Sequence, residues 1–212
     1  MSRVVFVAIL LAASMTCPAA VLFTENFELA TPGYYSTLGV ITNTGFSLLS
    51  GSIDVKGPGW YPLLCAGTAS GTCVDTVGAG ATSGQKIETT SDLALSSGSL
   101  YRLTFDLGNW TEHGSGSIYD IGPHSATVRV TVGTYSEDFS FTNPDAPASI
   151  TRTFVYSGGS VRLAFENTAS NLPFAGLILD NISLEEIPEP SSILLLGSGM
   201  LALLGARRRR PS

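Results

Sequence analysis

The chain has 212 residues and a formal net charge of −6. Between residues 21 and 187 it holds six basic and sixteen acidic side chains, so this body carries a net charge of −10. Because such a body repels phosphate backbones and anionic lipid, nucleic acid is not an expected partner, whereas its carboxylates suit divalent cations.

The first twenty residues are typical of a secretory signal peptide. Arg3 supplies one early charge, an apolar run covers residues 4–13, and the small residues Ala19 and Ala20 offer a cleavage site. We therefore predict a signal helix over 1–20 and an exported body over 21–187.

Apolar residues alternate with polar ones along most of that body. In the clearest run, Tyr101, Leu103, Phe105 and Leu107 occupy every second position, and residues 128–132 repeat the pattern. No stretch keeps a helical period, and no long linker divides the region. The pattern predicts one all-β domain, an antiparallel β-sandwich of jelly-roll type.

Several aromatic residues lie in glycine-containing segments between the predicted strands. They are Tyr34 and Tyr35, Trp60 and Tyr61 in "GPGWYP", and Trp110 in "GNWTEHG". Rings exposed on loops can stack on sugar faces, so Trp60, Tyr61 and Trp110 are candidate glycan-binding residues. The alternative is that they cover the ends of the sandwich.

Two cysteines, Cys65 and Cys73, remain once the signal peptide is removed. In an oxidising compartment, two cysteines that close a loop rich in Gly, Ser and Thr predict a disulfide. A metal pair would need further ligands, for which the body offers only His113 and His124.

No catalytic motif stands out. The chain lacks the Gly-x-Ser-x-Gly elbow of serine hydrolases. His113 and His124 lie near glycines and are interpreted as solvated loop residues rather than general bases. Sixteen carboxylates always allow some pair at glycosidase spacing, so their number decides nothing.

The predicted last strand carries one unusual carboxylate. By alternation, Asp180 shares a face with Ile178, Ile182 and Leu184, where an isolated charge is costly unless a cation neutralises it. Alternatively, Asp180 caps a turn or meets an arginine.

The opening "NFE" and the closing "LDNISL" resemble the jelly-roll modules that include many carbohydrate-binding modules. In those modules a structural calcium commonly lies near the first and last strands. The resemblance implies Ca²⁺ on Glu28 and Asp180, with the Asn26 carbonyl and Asp54 as weaker candidate ligands.

The C-terminal segment 188–212 has three parts in a fixed order. They are Pro188, Glu189 and Pro190, then an uncharged run over 191–206, then Arg207, Arg208, Arg209 and Arg210. As a helix, the run reaches about 24 Å, a little less than the roughly 30 Å of a hydrocarbon core. Flanking arginines favour the cytoplasmic side.

This arrangement resembles the PEP-CTERM sorting signal of Gram-negative bacteria. The alternatives are an ordinary C-terminal membrane anchor and a buried terminal helix, and the four arginines argue against the second. The resemblance implies recognition by exosortase, a membrane-embedded transpeptidase, while a short C-terminal helix holds the chain in the inner membrane. Processed products of this kind are typically destined for the cell surface or the exopolysaccharide matrix.

The pieces "GSIDV", "CVDTVG", "LYRLTFDLGN" and "LILDNISL" also resemble a group of exported PEP-CTERM proteins that brings no assigned activity. We therefore expect an exported, non-catalytic surface or matrix protein that binds glycan, with exopolysaccharide as a candidate partner. The alternatives are an extracellular glycan-active enzyme and a purely structural surface protein.

Overall fold

The structure is a computed structural model that describes residues 19–57, 65, 71–78, 82–109, 124–142 and 148–188. These residues form thirteen β-strands and no α-helix. The strands are β1 Ala20–Glu25, β2 Gly33–Tyr35, β3 Gly39–Val40, β4 Phe46–Ser50, β5 Ile53–Lys56, β6 Cys73–Asp75, β7 Gln85–Thr89, β8 Leu100–Gly108, β9 Ser125–Gly133, β10 Tyr135–Thr142, β11 Ala148–Val155, β12 Ser160–Ser170 and β13 Ile178–Ile187. The helices predicted at the two termini lie outside the described residues, and within those residues no helix could cross a membrane.

The strands form two sheets in which every pairing is antiparallel. The first sheet has the order β11-β8-β13-β6-β5-β2, with β1 also paired to β13. The second sheet has the order β10-β9-β12-β7-β4-β3. The predicted all-β antiparallel sandwich is therefore confirmed.

The alternating residues build the core between the sheets. Every second side chain of β8 from Tyr101 to Leu107 is fully buried, as predicted. From the first sheet, Phe105 contacts Phe165 and Phe139 of the second sheet edge to face, with ring centroids 5.5 and 5.3 Å apart. Each such buried ring contributes roughly 2–3 kcal/mol through the apolar surface it removes from water.

The first and last strands are neighbours in the first sheet. β1 pairs with β13 from Ala20 opposite Glu186 to Glu25 opposite Ile182. The buried apolar residues lie between Phe27 and Leu184, within the compact unit Ala20–Ile187. This unit therefore contains its own core.

A bulge on β13 changes which of its side chains share a face. The register with β8 shifts between Asp180 and Ser183, and Asn181 in the bulge has a φ of 49°. Ile182 packs in the core between the sheets, whereas Ile178 packs in a separate cluster with the two cysteines. The single face predicted through 178–184 is therefore wrong, because the extra residue of the bulge turns the preceding side chains to the other face.

Candidate functional site

Cys65 and Cys73 form the predicted disulfide. Both are buried and pack against Ala175 and Ile178 in the separate cluster. Because the two sulfurs are bonded to each other, they are not available as a metal pair. The disulfide itself therefore lies on the side of the first sheet that faces away from the main core.

Beside the disulfide, two carboxylates flank a buried lysine. The Nζ atom of Lys56 lies 2.6 Å from Oδ2 of Asp54 and 3.9 Å from Oδ2 of Asp75. Burial raises the pKa of Asp75 to about 7, although the Lys56 ammonium opposes this. Asp54, a candidate calcium ligand, is therefore already paired with a cation of the chain itself.

The other candidate calcium ligands lie in separate hydrogen bonds. Oδ1 of Asn26 accepts a hydrogen bond from the Glu28 N–H at 3.2 Å, and Oε1 of Glu28 accepts one from the Gly71 N–H at 2.8 Å. Asp180 is fully buried, and its Oδ1 accepts the N–H of Asn181 at 2.7 Å. No three His, Cys, Asp or Glu side chains of the described ranges form a metal-binding group. The calcium site stays a prediction.

His124 is not the solvated residue that the sequence indicated. Its side chain is buried, and Nε2 lies 3.0 Å from the Ala175 carbonyl oxygen. A carbonyl only accepts, so this nitrogen carries the proton. Burial lowers the pKa of His124. Nε2 also lies 3.5 Å from Oγ of Ser170, but a protonated nitrogen cannot act as a base toward that hydroxyl.

The structure describes only some of the remaining predicted site residues. Pro188 is half-buried at the end of β13. Tyr34, on strand β2 at the edge of its sheet, is 47% exposed. The following predicted residues lie outside the described ranges: Trp60, Tyr61, Trp110, His113, Glu189, Pro190, Arg207, Arg208, Arg209 and Arg210.

An open cleft of about 620 Å³ that sequence reasoning missed lies where β1 ends beside the bulge of β13. We call it the strand-end cleft. Its lining residues come from three separate segments: Thr24, Glu25, Asn26, Leu29, Asn43, Thr44, Gly45, Asn181 and Ile182. Its volume lies in the range of small-molecule sites, roughly 300–1,000 Å³.

Glu25 joins two walls of this cleft. Its Oε1 accepts the Phe27 N–H at 2.8 Å and its Oε2 accepts the Gly45 N–H at 2.6 Å. A Cβ at position 45 would lie only 2.8 Å from Cε2 of Phe23, so the close approach requires glycine. The carboxylate therefore serves the architecture of the cleft, with both oxygens already accepting hydrogen bonds.

Strained backbone also concentrates here. In the described part of the chain, the non-glycine residues with left-handed φ are Phe27 (55°), Asn43 (59°) and Asn181 (49°). Asn43 and Asn181 line the cleft, and Phe27 directly follows Asn26, which also lines it. Asparagine tolerates this conformation, whereas for Phe27 it is strained. Such backbone strain often accompanies binding sites, although it does not identify a ligand.

Comparison with known proteins identifies the tail and the fold. The family model of the PEP-CTERM protein-sorting motif matches residues 186–210, which confirms the interpretation of the tail. No curated protein matches the chain.

Among solved structures, the arabinose-bound MgGH51 α-L-arabinofuranosidase has a TM-score of 0.50 at 12% identity, with 79% of this chain and 26% of that one covered. The CBM22-1 xylan-binding domain of Paenibacillus barcinonensis Xyn10C has a TM-score of 0.44 at 14% identity, over 81% and 97%. The carbohydrate-binding module CBM6cm-2 of Cellvibrio mixtus lichenase 5A, in complex with cellotriose, has a TM-score of 0.36 at 14% identity, over 77% and 96%. At sequence identities this low, structural similarity supports a shared fold and nothing more.

The chain thus joins an antiparallel sandwich to a PEP-CTERM sorting motif, which indicates an exported protein processed at the membrane.

Proposed function

We propose that this protein is a non-catalytic component of the cell surface or extracellular matrix that binds glycan through its sandwich. The observation that carries the proposal is the strand-end cleft, which is open and lined mainly by amide and hydroxyl side chains. Sugars present hydroxyl groups that both donate and accept hydrogen bonds, and amides complement both roles.

The sandwich is the cargo of the sorting motif. The motif match begins at residue 186, within β13, whose last residues pair with β1 and β8. Exosortase is therefore the proposed processing partner, and the exopolysaccharide at the cell surface is the proposed ligand. Before processing, the apolar run over 191–206 holds the chain at the inner membrane.

The carboxylate at the cleft and the histidine beside Ser170 favour binding over catalysis. Both oxygens of Glu25 accept backbone hydrogen bonds, so this carboxylate is poorly placed to transfer protons. His124 donates to a backbone carbonyl and forms no productive pair with Ser170. A glycosidase needs two available carboxyl groups that flank the scissile bond.

A structural calcium remains part of the proposal. Glu28, Asn26 and Asp180 are its candidate ligands, and Asp54 becomes a weaker candidate because it pairs with Lys56. Calcium that stiffens the β1–β13 region would also order the neighbouring cleft.

The test is retention of the purified protein on the host's exopolysaccharide, with calcium and then with chelator. Retention without release of reducing ends supports a binding module, and retention that chelator abolishes supports the calcium site. Release of reducing ends would instead favour the glycan-active enzyme. No retention in either condition would favour a purely structural protein.

A further inference from the structure

We propose that the strand-end cleft binds one uncharged sugar unit of a polysaccharide through the amides of Asn26, Asn43 and Asn181. This assignment rests on the proposed glycan-binding function and adds to it the location of the site and the class of sugar. It does not rest on the candidate aromatic residues Trp60, Tyr61 and Trp110, which lie outside the described residues.

The charge of the lining selects the class of ligand. None of the described residues that line the cleft is a lysine, arginine or histidine, and the one ionisable residue is Glu25. Uronic acid or sulfated units would therefore find no basic side chain among these residues to pair with. They would also approach a body of net charge −10. Neutral units avoid both costs.

The three amides offer complementary hydrogen-bonding groups. Asn26 uses its Oδ1 to accept the Glu28 N–H, which leaves its NH₂ group to donate to a ligand. Asn181 uses its Nδ2 to donate to Oδ2 of Asp106 at 2.8 Å, which leaves its Oδ1 to accept. Asn43 makes no side-chain hydrogen bond to another described residue, so its amide can do both. Together the three amides can donate to and accept from the hydroxyl groups of a sugar ring.

The walls are held in place before any ligand binds. Glu25 fastens the turn at Gly45 to the end of β1, so the position of neighbouring Asn43 is constrained. The β13 bulge presents Asn181, whose amide is fixed by Asp106. Rigid walls reduce the entropy lost on binding. Leu29 lines the same cleft and is 80% exposed, which provides an apolar contact for the C–H face of a sugar.

The test is calorimetric titration of the full-length chain in mild detergent with xylo-, cello-, manno- and arabinohexaose, and with hexagalacturonate as the acidic counterpart. Asn43→Gly removes the amide while glycine keeps the left-handed backbone. We expect this change to weaken binding of a neutral oligosaccharide about ten-fold, as for loss of one or two hydrogen bonds. Leu29→Ala should also weaken this binding. Leu38 is an exposed leucine outside the cleft, so Leu38→Ala should leave binding unchanged.

A second readout separates binding from folding. In the NMR spectrum of the wild-type chain, the side-chain NH₂ signals of Asn26 and Asn43 should shift when the neutral oligosaccharide is added, and the backbone spectrum of Asn43→Gly should remain that of a folded protein.

The contrary outcomes are distinct. If the chain is retained on host exopolysaccharide but binds none of the neutral oligosaccharides, or binds them equally well after Asn43→Gly, the site assignment is overturned and the proposed function stands. Tighter binding of hexagalacturonate would overturn the choice of a neutral sugar. Without retention on exopolysaccharide and without oligosaccharide binding, both proposals fail.

Discussion

At the scale of single residues, polar side chains hold segments together that are distant in sequence. Glu25 connects β1 to the turn before β4, and Asp75 accepts hydrogen bonds from the N–H groups of Val77 and Gly176 through its Oδ1. His124 binds the same segment through the carbonyl of Ala175. Except for the bond between Asp75 and Val77, these contacts join residues that are remote in sequence, so the chemistry of each residue is visible in the sequence but its partner is not.

Replacing Glu25 by alanine should destabilise the sandwich. The change leaves the N–H groups of Phe27 and Gly45 without their acceptor, and hydrogen bonds to charged groups are worth about 1.5–3 kcal/mol each. Because Glu25 is only half-buried, water compensates in part, and we expect a loss of about 2 kcal/mol in the free energy of unfolding. Urea denaturation measures this free energy. Glu186→Ala, a half-exposed glutamate on β13, is the control, and an equal loss in both variants would contradict this role of Glu25.

The buried carboxyl of Asp75 predicts a pH dependence. Its pKa rises from 3.8 to about 7 on folding, so between these values the folded state binds the proton more tightly than the unfolded state. The stability that proton binding at Asp75 contributes is therefore complete below pH 4 and is lost as the pH rises toward 7. Urea midpoints should be higher at pH 5 than at pH 8, and Asp75→Asn should reduce the difference. A wild-type midpoint that rises from pH 5 to pH 8 would count against the account.

At the scale of elements, regular strands were predictable and irregular ones were not. In β8 and β9 the apolar side chains alternate between the two faces as the sequence predicts. The reason is that each strand is paired along its whole length without a bulge on its own backbone. On β13 the same reasoning failed because Asn181 adopts a left-handed conformation that shifts the register by one residue. The one signal in the sequence is Asn181 itself, because asparagine tolerates a left-handed conformation and is depleted in regular strands.

The strand-end cleft escaped prediction for a related reason. Its walls come from the end of β1, the turn before β4 and the bulge of β13, and only strand pairing brings these segments together. "NTG" at residues 43–45 indicates a turn, but nothing in it indicates that Glu25 accepts its backbone N–H. By contrast, the disulfide needs no knowledge of distant contacts, because its two cysteines are close in sequence.

The disulfide should stabilise the region where β6 meets β13. Closing a loop of this length removes conformational entropy from the unfolded chain worth about 2–3 kcal/mol. We expect the double variant Cys65→Ser/Cys73→Ser to lose about this much, measured by the thermal midpoint in oxidising buffer. Reductant should lower the wild-type midpoint and leave that of the variant unchanged. A variant as stable as the oxidised wild type would show that the disulfide is dispensable.

At the scale of the whole molecule, the sorting motif and the fold share residues. Glu186 pairs with both Ala20 and Tyr101, and Ile187 pairs with Leu100, yet the motif match begins at residue 186. Pro188 therefore follows a hydrogen-bonded strand without a spacer. A processing enzyme that needs an extended, unpaired substrate must compete with these pairings.

A spacer should therefore speed processing of the tail. Inserting Gly-Ser-Gly-Ser between Ile187 and Pro188 frees the motif from the strand, and we expect a larger processed fraction at early times in a pulse–chase experiment in the exporting host. The same insertion between Gly158 and Gly159, in the turn before β12, is the control. If both insertion variants and the wild type are processed equally fast, the pairing of β13 does not limit access of the processing enzyme to the motif.

The central part of the proposed function is that the exported sandwich binds glycan without cleaving it. The direct measurement is the retained fraction of the wild-type protein on the host's exopolysaccharide, with reducing ends assayed in the same samples. We predict saturable retention with no rise in reducing ends over the incubation. Absence of retention, or reducing ends that accumulate in proportion to added protein, would contradict it.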